Sequence, residues 1–296
     1  MSPKIYLIIS ALMFGSIGVV TRDLPFESEM ISLSRSVLGA LFVCFFCLIT
    51  KKKIDLGLVK KNLIWLIISG AALGINWVFL FESYQHINIS TAIVCYYLAP
   101  VIVTATSPIF LKEKLSFGSV ACVLAALLGL VLVTGIGTDM AGNLALGVTY
   151  AVSAAVLYAA IIIINKKIVD LGGIERTLFQ LGISAAVMLP YVALTDTFPT
   201  GGASLWSIAI LLFAGIVLTG VVYLFFFSAV DKVNAQAISV ILYIDPITAI
   251  ILSSIILSER MSLIQIFGTI LILGATFVNE VVLAKHSNKP IAEESV

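Results

Sequence analysis

YYLAPVIVTATSPIFLKEKLS, residues 96–116, lies over LYIDPITAIILSSIILSERMS, residues 242–262, when the chain is shifted by 146 residues. The shift pairs Tyr97 with Tyr243, Pro100 with Pro246, Glu113 with Glu259 and Ser116 with Ser262. It extends upstream without a gap. GINWVFLFESYQHIN (74–88) lies over GVVYLFFFSAVDKVN (220–234), pairing Gly74 with Gly220, Trp77 with Tyr223, Phe79 with Phe225, Phe81 with Phe227 and Asn88 with Asn234. Composition bias alone hardly places both prolines and both glutamates in register, so the sequence reads as an internal duplication.

The duplicated unit is apolar. Over the 296 residues, hydrophobic content is 60%, charged content 11% and mean hydropathy +1.15, values that do not suit a water-facing surface. Stretches long enough to cross a bilayer core, which takes about 20 helical residues, recur with short polar breaks. They fall at 4–21, 28–50, 62–85, 89–111, 116–134, 143–164, 174–195, 205–230, 235–257 and 261–284. The expectation is an all-α integral membrane protein with ten transmembrane helices. A β-barrel would show short alternating segments instead. The exit TRDLPFES after the first stretch lacks a small-x-small cleavage pattern, so that stretch reads as a retained helix and not a signal peptide.

Sorting the basic residues between alternate loops sets the orientation. With the N-terminus inside, Lys4, the Lys51–Lys53 run, Lys60, Lys61, Lys166, Lys167 and Lys285 are cytoplasmic, while Arg22 and Arg260 lie outside. The lysine run is therefore a topology anchor and not a nucleic-acid site. Five spans per half is an odd number, so the halves insert in opposite senses: an N-terminal repeat over 1–138, an inverted C-terminal repeat over 139–284 and a polar cytoplasmic tail over 285–296, N-in and C-in. The four cysteines fall within spans. CFFC at Cys44–Cys47 has redox or metal spacing, but on a lipid-embedded helix with no histidine nearby it reads as packing.

At these residues the chain resembles the drug/metabolite transporter superfamily in its ten-helix EamA-type branch. The resemblance is carried by SRSVLGA in the second span, the paired AP and DP segments, and LKEKLSFGSVACVLAALLGLVLV with its partner LSERMSLIQIFGTILILGATFV. It implies a secondary carrier with helices one to four and six to nine around a cavity, and helices five and ten at the periphery. It implies no single substrate; similar proteins handle amino acids, amines, nucleobases, nucleotide sugars and other metabolites, often by export. The localisation it implies is the cell inner (plasma) membrane, multi-pass; the expected assembly is a monomer or homodimer.

Within this frame Asp245 stands out. A carboxylate near the middle of a span costs several kcal/mol unless it is protonated, paired or facing water, so it is a functional candidate by default. Pro246 cannot donate to the carbonyl of Leu242, and Pro100 does the same to Tyr96, which predicts two kinked helices with irregular backbone at one depth. Only the C-terminal copy carries the acid, since Ala99 occupies the equivalent place. Asp245 is suited to exchange a proton or to hold an ammonium group; the competing reading is a neutral acid bonded to a neighbouring helix.

Arg35 is the other costly charge. It reads either as partner of a cargo carboxylate or phosphate, or as partner of Glu82, with the second preferred because an arginine there looks typical of the family whatever its cargo. Glu113 and Glu259 read as architectural, each capping the next helix or meeting a neighbouring base. Trp77, Tyr97, Tyr223 and Tyr243, with Phe14 and Tyr158 at a looser offset, are candidate lining for an apolar or cationic cargo, with plain helix packing the competing reading for each, and Asn76 and Gln180 add amides that bind cargo or bridge helices. The expected partner is a small amine-bearing molecule, an amino acid or relative, with protons as the candidate coupling ion. No cofactor or metal is expected.

Enzymes fit poorly. An aspartyl protease needs a second deep aspartate, and the two histidines, His86 in a turn and His286 in the tail, cannot anchor a buried hydrolase site. No GxxxxGK[ST] motif is present for ATP-driven pumping. A channel or uniporter for small polar solutes is the alternative.

Overall fold

The computed structural model describes residues 2–110, 115–134, 142–195, 203–230, 232–233 and 235–279. Glu113, the 138/139 boundary and the tail at 285–296 lie outside them. Among the described residues every regular element is a helix. They are α1 (Pro3–Thr21), α2 (Ser28–Ile49), α3 (Leu56–Lys61), α4 (Leu63–His86), α5 (Ile89–Tyr96), α6 (Ala99–Phe110), α7 (Phe117–Thr134), α8 (Gly142–Asn165), α9 (Gly173–Thr195), α10 (Leu205–Gly215), a π-helical stretch (Ile216–Val221), α11 (Val222–Val230), α12 (Ala235–Leu242), α13 (Ile244–Ile256) and α14 (Leu263–Phe277). A helix satisfies every backbone group of an apolar segment from within the segment, where no water is there to do so.

Taking α5–α6 and α10–α11 as continuous runs, eight helices among the described residues are long and apolar enough to cross a membrane, with shorter apolar helices at Val240–Ile256 and Leu263–Phe277. Burial is inverted relative to a water-soluble fold. Ser10, Ser32, Ser36, Ser69, Asn76, Ser184, Thr219 and Ser253 are fully buried, while Phe117, Leu194 and Leu263 are almost wholly exposed. Such a molecule is stable only with hydrocarbon around it, which makes it a multi-pass membrane protein.

Each proline-bearing run is divided into two helices. α5 ends at Tyr96 and α6 begins at Ala99; α12 ends at Leu242 and α13 begins at Ile244. The loss of the Pro246 N–H leaves the Leu242 carbonyl without its helical donor, and the Tyr97 hydroxyl donates to that oxygen at 3.4 Å. One break thus repairs the other.

Small residues set the helix spacing. A Cβ on Gly15 in α1 would meet the backbone oxygen of Asp245 and the Cβ of Thr248, so α1 and α13 lie backbone to backbone. Gly70 and Gly74 bring α4 onto α9, and Gly39 brings α2 against Thr219 of the π-helical stretch. α7 and α14 pack mainly on each other, with Gly129 and Gly268 each opposite the other's carbonyl. An apolar recess of ≈ 300 Å³ lies between them, lined by Cys122, Ala125, Gly274 and neighbours, with no charged residue in its lining.

Candidate functional site

Four short elements converge on one interior region: the two helix breaks, the middle of α4 and the π-helical stretch. At the α12–α13 break, Asp245 occupies the first turn of α13 and is half-buried, with the Tyr97 hydroxyl beside its carboxyl. Tyr97 and Tyr243 face each other at 6.4 Å between ring centroids, and Phe277 closes on Tyr243 edge-on at 5.5 Å. The repeat-paired tyrosines and the acid therefore form one cluster.

Arg35 lies one step away. Its side chain is buried, 3% exposed, and its guanidinium carbon sits 4.0 Å from the Trp77 ring centroid and 5.3 Å from that of Phe81. Its Nε donates to the Thr219 Oγ1 at 3.0 Å. The Thr219 hydroxyl donates in turn to the carbonyl of Ala214, five residues back, at 2.9 Å, which is the spacing of a π-turn. The local unwinding thus aims the hydroxyl lone pairs at Arg35. Tyr84, Tyr96 and Tyr223 are its polar neighbours, and Tyr84 is within electrostatic reach of both Arg35 and Asp245.

The predicted alternative for Arg35 does not form. Glu82 accepts from Ser28 Oγ at 2.9 Å and meets His86 Nε2 at 3.3 Å. The ion pairs among the described residues involve Arg22, Lys52, Lys61 and His86, not Arg35. The reason is position. Glu82 lies where it can engage the first residue of α2, whereas Arg35 is two turns further into that helix.

The amides are engaged within the protein. Asn76 donates through Nδ2 to the Ala154 carbonyl at 2.6 Å and accepts through Oδ1 from the Tyr96 hydroxyl at 3.2 Å, joining α4, α5 and α8. Tyr96 stacks on Tyr158 at 5.1 Å and 13°. Gln180 donates to Ser69 Oγ and Asn165 Oδ1, both at 2.7 Å. Phe14 packs on Tyr223 and Phe226 at 5.5 and 6.4 Å, beside the α10–α11 run.

Glu259 follows α13 and is read from sequence as a cap for the next helix or a partner for a neighbouring base. It caps a different helix. Its carboxylate accepts from the Ile89 N–H at 2.8 Å, the Ser90 N–H at 3.2 Å and the Ser90 Oγ at 3.1 Å, at the start of α5. Arg22 Nη1 lies 3.8 Å away and also donates to the Ile87 carbonyl at 3.3 Å. The predicted cap for α14 is supplied by Ser262 and Gln265, each bonding the other's backbone N–H.

Sequence reasoning missed Tyr96, Thr219 and the Ser90–Ser253 contact of 2.6 Å between hydroxyls. Tyr96 is visible only as the first tyrosine of YY, and its repeat partner is Leu242. Thr219 carries no motif, because its importance comes from a π-turn that no residue spacing announces.

A multi-pass helical bundle with a half-buried acid at a helix break and a buried arginine among aromatics has the architecture of a membrane transporter. The chain belongs to the EamA-like transporter family, whose model matches residues 1–135 and again 145–280. It is 30% identical over 270 residues to the uncharacterized transporter YxxF of Bacillus subtilis (strain 168), covering 90% of this chain and 86% of that protein. It is 24% identical over 273 residues to an uncharacterized transporter of Archaeoglobus fulgidus, covering 92% and 94%. A solved crystal structure shares the fold at a TM-score of 0.66 and 16% identity, over 96% of this chain and 98% of that one. The chain is a transporter and not an enzyme.

Proposed function

We propose that this transporter is a secondary-active exporter of a small amine-bearing metabolite, an amino acid or a close relative, working by alternating access with Asp245 as the cargo-binding or proton-coupling acid. The observation that carries this reading is the Asp245–Tyr97–Tyr243 cluster at two facing helix breaks. Broken helices supply irregular backbone where carriers place their cargo.

The same reading takes the bundle as ten spans in two inverted repeats, 1–138 and 139–284, with both termini cytoplasmic in an inner membrane. Packing supports it. α1 lies on α13 as α8 lies on α5 and α6; α4 lies on α9 as α2 lies on α10 and the π-helical stretch. Shifting the numbering by one repeat exchanges these pairs, as expected of two halves that rock about a shared centre.

The test is cargo-induced charge movement in proteoliposomes, with amino acids, amines and organic anions at several pH values, for wild type and Asp245→Asn. Currents from amines or amino acids that depend on pH and vanish in the folded variant are expected. Unchanged transport by Asp245→Asn would overturn the role of the acid, and conductance far above carrier turnover would favour a channel.

A further inference from the structure

Arg35 presents an unfinished interaction. It is a guanidinium buried deep in an apolar bundle, its flat face covered by Trp77 at 4.0 Å and its Nε fixed to Thr219 at 3.0 Å. No carboxylate among the described residues pairs with it. Its other two nitrogens, Nη1 and Nη2, have no hydrogen bond to any described residue, although they carry most of the N–H donors of the group. A buried cation in that condition is costly unless an anion joins it. The neighbours on the other elements, Tyr84, Tyr96 and Tyr223, are neutral phenols that do not repel an oxyanion, and of the three the Tyr96 hydroxyl is already donated to Asn76.

We infer that the Nη1/Nη2 edge of Arg35 is the seat of a carboxylate carried by the cargo, held end-on in a two-point contact while Trp77 and Thr219 fix the plane of the guanidinium. Two parallel N–H···O⁻ bonds match a planar carboxylate, and pinning Nε removes the rotational freedom that such a contact would otherwise have to freeze. The inference rests on the carrier reading above and narrows it. With an acid at Asp245 and a base at Arg35 that do not pair with each other, and Tyr84 within reach of both, the site accepts a molecule bearing both charges.

Trp77 supplies the reporter. The chain has three tryptophans, and replacing Trp65 and Trp206 by phenylalanine leaves Trp77 as the sole indole, against the Arg35 guanidinium. The purified full chain in lipid nanodiscs is titrated at constant ionic strength with leucine, leucinamide, 4-methylpentanoate and isoamylamine. Leucine and 4-methylpentanoate are expected to change Trp77 emission saturably, and the two probes without a carboxylate are not. Arg35→Gln should weaken the carboxylate response by about tenfold or more, and Arg35→Lys, which keeps the charge but loses the fork, should not restore it fully. Equal responses from leucine and leucinamide, no response from either carboxylate, or an unaltered response in Arg35→Gln would overturn the assignment.

Should Arg35→Gln fail to fold, the native chain answers through phenylglyoxal labelling read by mass spectrometry. Labelling of Arg35 that 4-methylpentanoate slows and isoamylamine leaves unchanged supports the seat, and an Arg35 whose labelling is indifferent to both overturns it. Emission and labelling do not require turnover, so loss of the carboxylate response with intact Asp245-dependent flux removes only this seat. A retained response in a protein that carries no flux removes only the carrier reading.

Discussion

Glu259 accepts a hydrogen bond at 2.8 Å from the backbone N–H of Ile89, a residue 170 positions earlier in the chain. The first N–H groups of a helix have no partner within it, and here a single carboxylate supplies acceptors for both Ile89 and Ser90 while Arg22 stands behind it. The acid that follows α13 therefore ties down the start of the broken α5–α6 helix, whose other end of α5 bears Tyr97.

Removing this tie is predicted to loosen α5 before it affects anything else. Glu259→Ala should cost about 1–3 kcal/mol, the usual range when a charged hydrogen-bond partner is lost. Glu259→Gln should cost less, since it keeps one acceptor oxygen. Thermal unfolding in detergent measures the cost, and amide exchange at Ile89 to Ile93 should quicken in the alanine variant while exchange in α8 stays unchanged.

The distance between α1 and α13 depends on Gly15. An added Cβ there would fall inside contact distance of the Asp245 backbone oxygen and of Thr248 and Ala249. Gly15→Ala is predicted to destabilise by about 1–3 kcal/mol, as overpacking against backbone does, and to impair transport with it. Gly182→Ala in α9 is the control, because nothing lies within 4 Å of its Cβ position. There the melting temperature should hold or rise slightly, in keeping with alanine's better helix propensity of up to about 1 kcal/mol.

The seat of Arg35 depends on a hydroxyl. Thr219→Val keeps the shape but removes both the acceptor for Arg35 Nε and the donor to Ala214. The expected cost is about 1–3 kcal/mol for buried groups left unpaired, with a shift in Trp77 emission as the guanidinium loses its fixed plane. Thr219→Ser should restore both readouts. Unaltered emission in a folded Thr219→Val protein would show that the π-turn does not position Arg35.

Ser90 and Ser253 touch through their hydroxyls at 2.6 Å, joining α5 to α13 close to Glu259. In a background without the native cysteines, Ser90→Cys with Ser253→Cys is expected to form a disulfide under mild oxidation. If carrier turnover separates these helices, cross-linking should abolish flux and a reductant should restore it. Full flux in the oxidised protein would place the moving contact elsewhere.

The amino-acid sequence by itself determined the class of the molecule. Apolar runs fix where helices form, because a continuous apolar segment of about 20 residues in hydrocarbon satisfies its backbone hydrogen bonds within itself as a helix. Pro100 and Pro246 fix where two of those helices break, because a missing N–H is a local covalent fact. The cost of an isolated charge in such a run marked Asp245 and Arg35. Partners were decided only by the tertiary structure. Glu82 turns to Ser28 and His86, Glu259 caps α5 and not α14, and Tyr97 donates to the carbonyl that Pro246 exposes. Each choice joins residues far apart in the chain and depends on helix spacing set by Gly15, Gly39 and Gly74. The π-turn at Thr219 belongs to the same category, since unwinding there is stabilised by contacts across helices and not by any local spacing of residues.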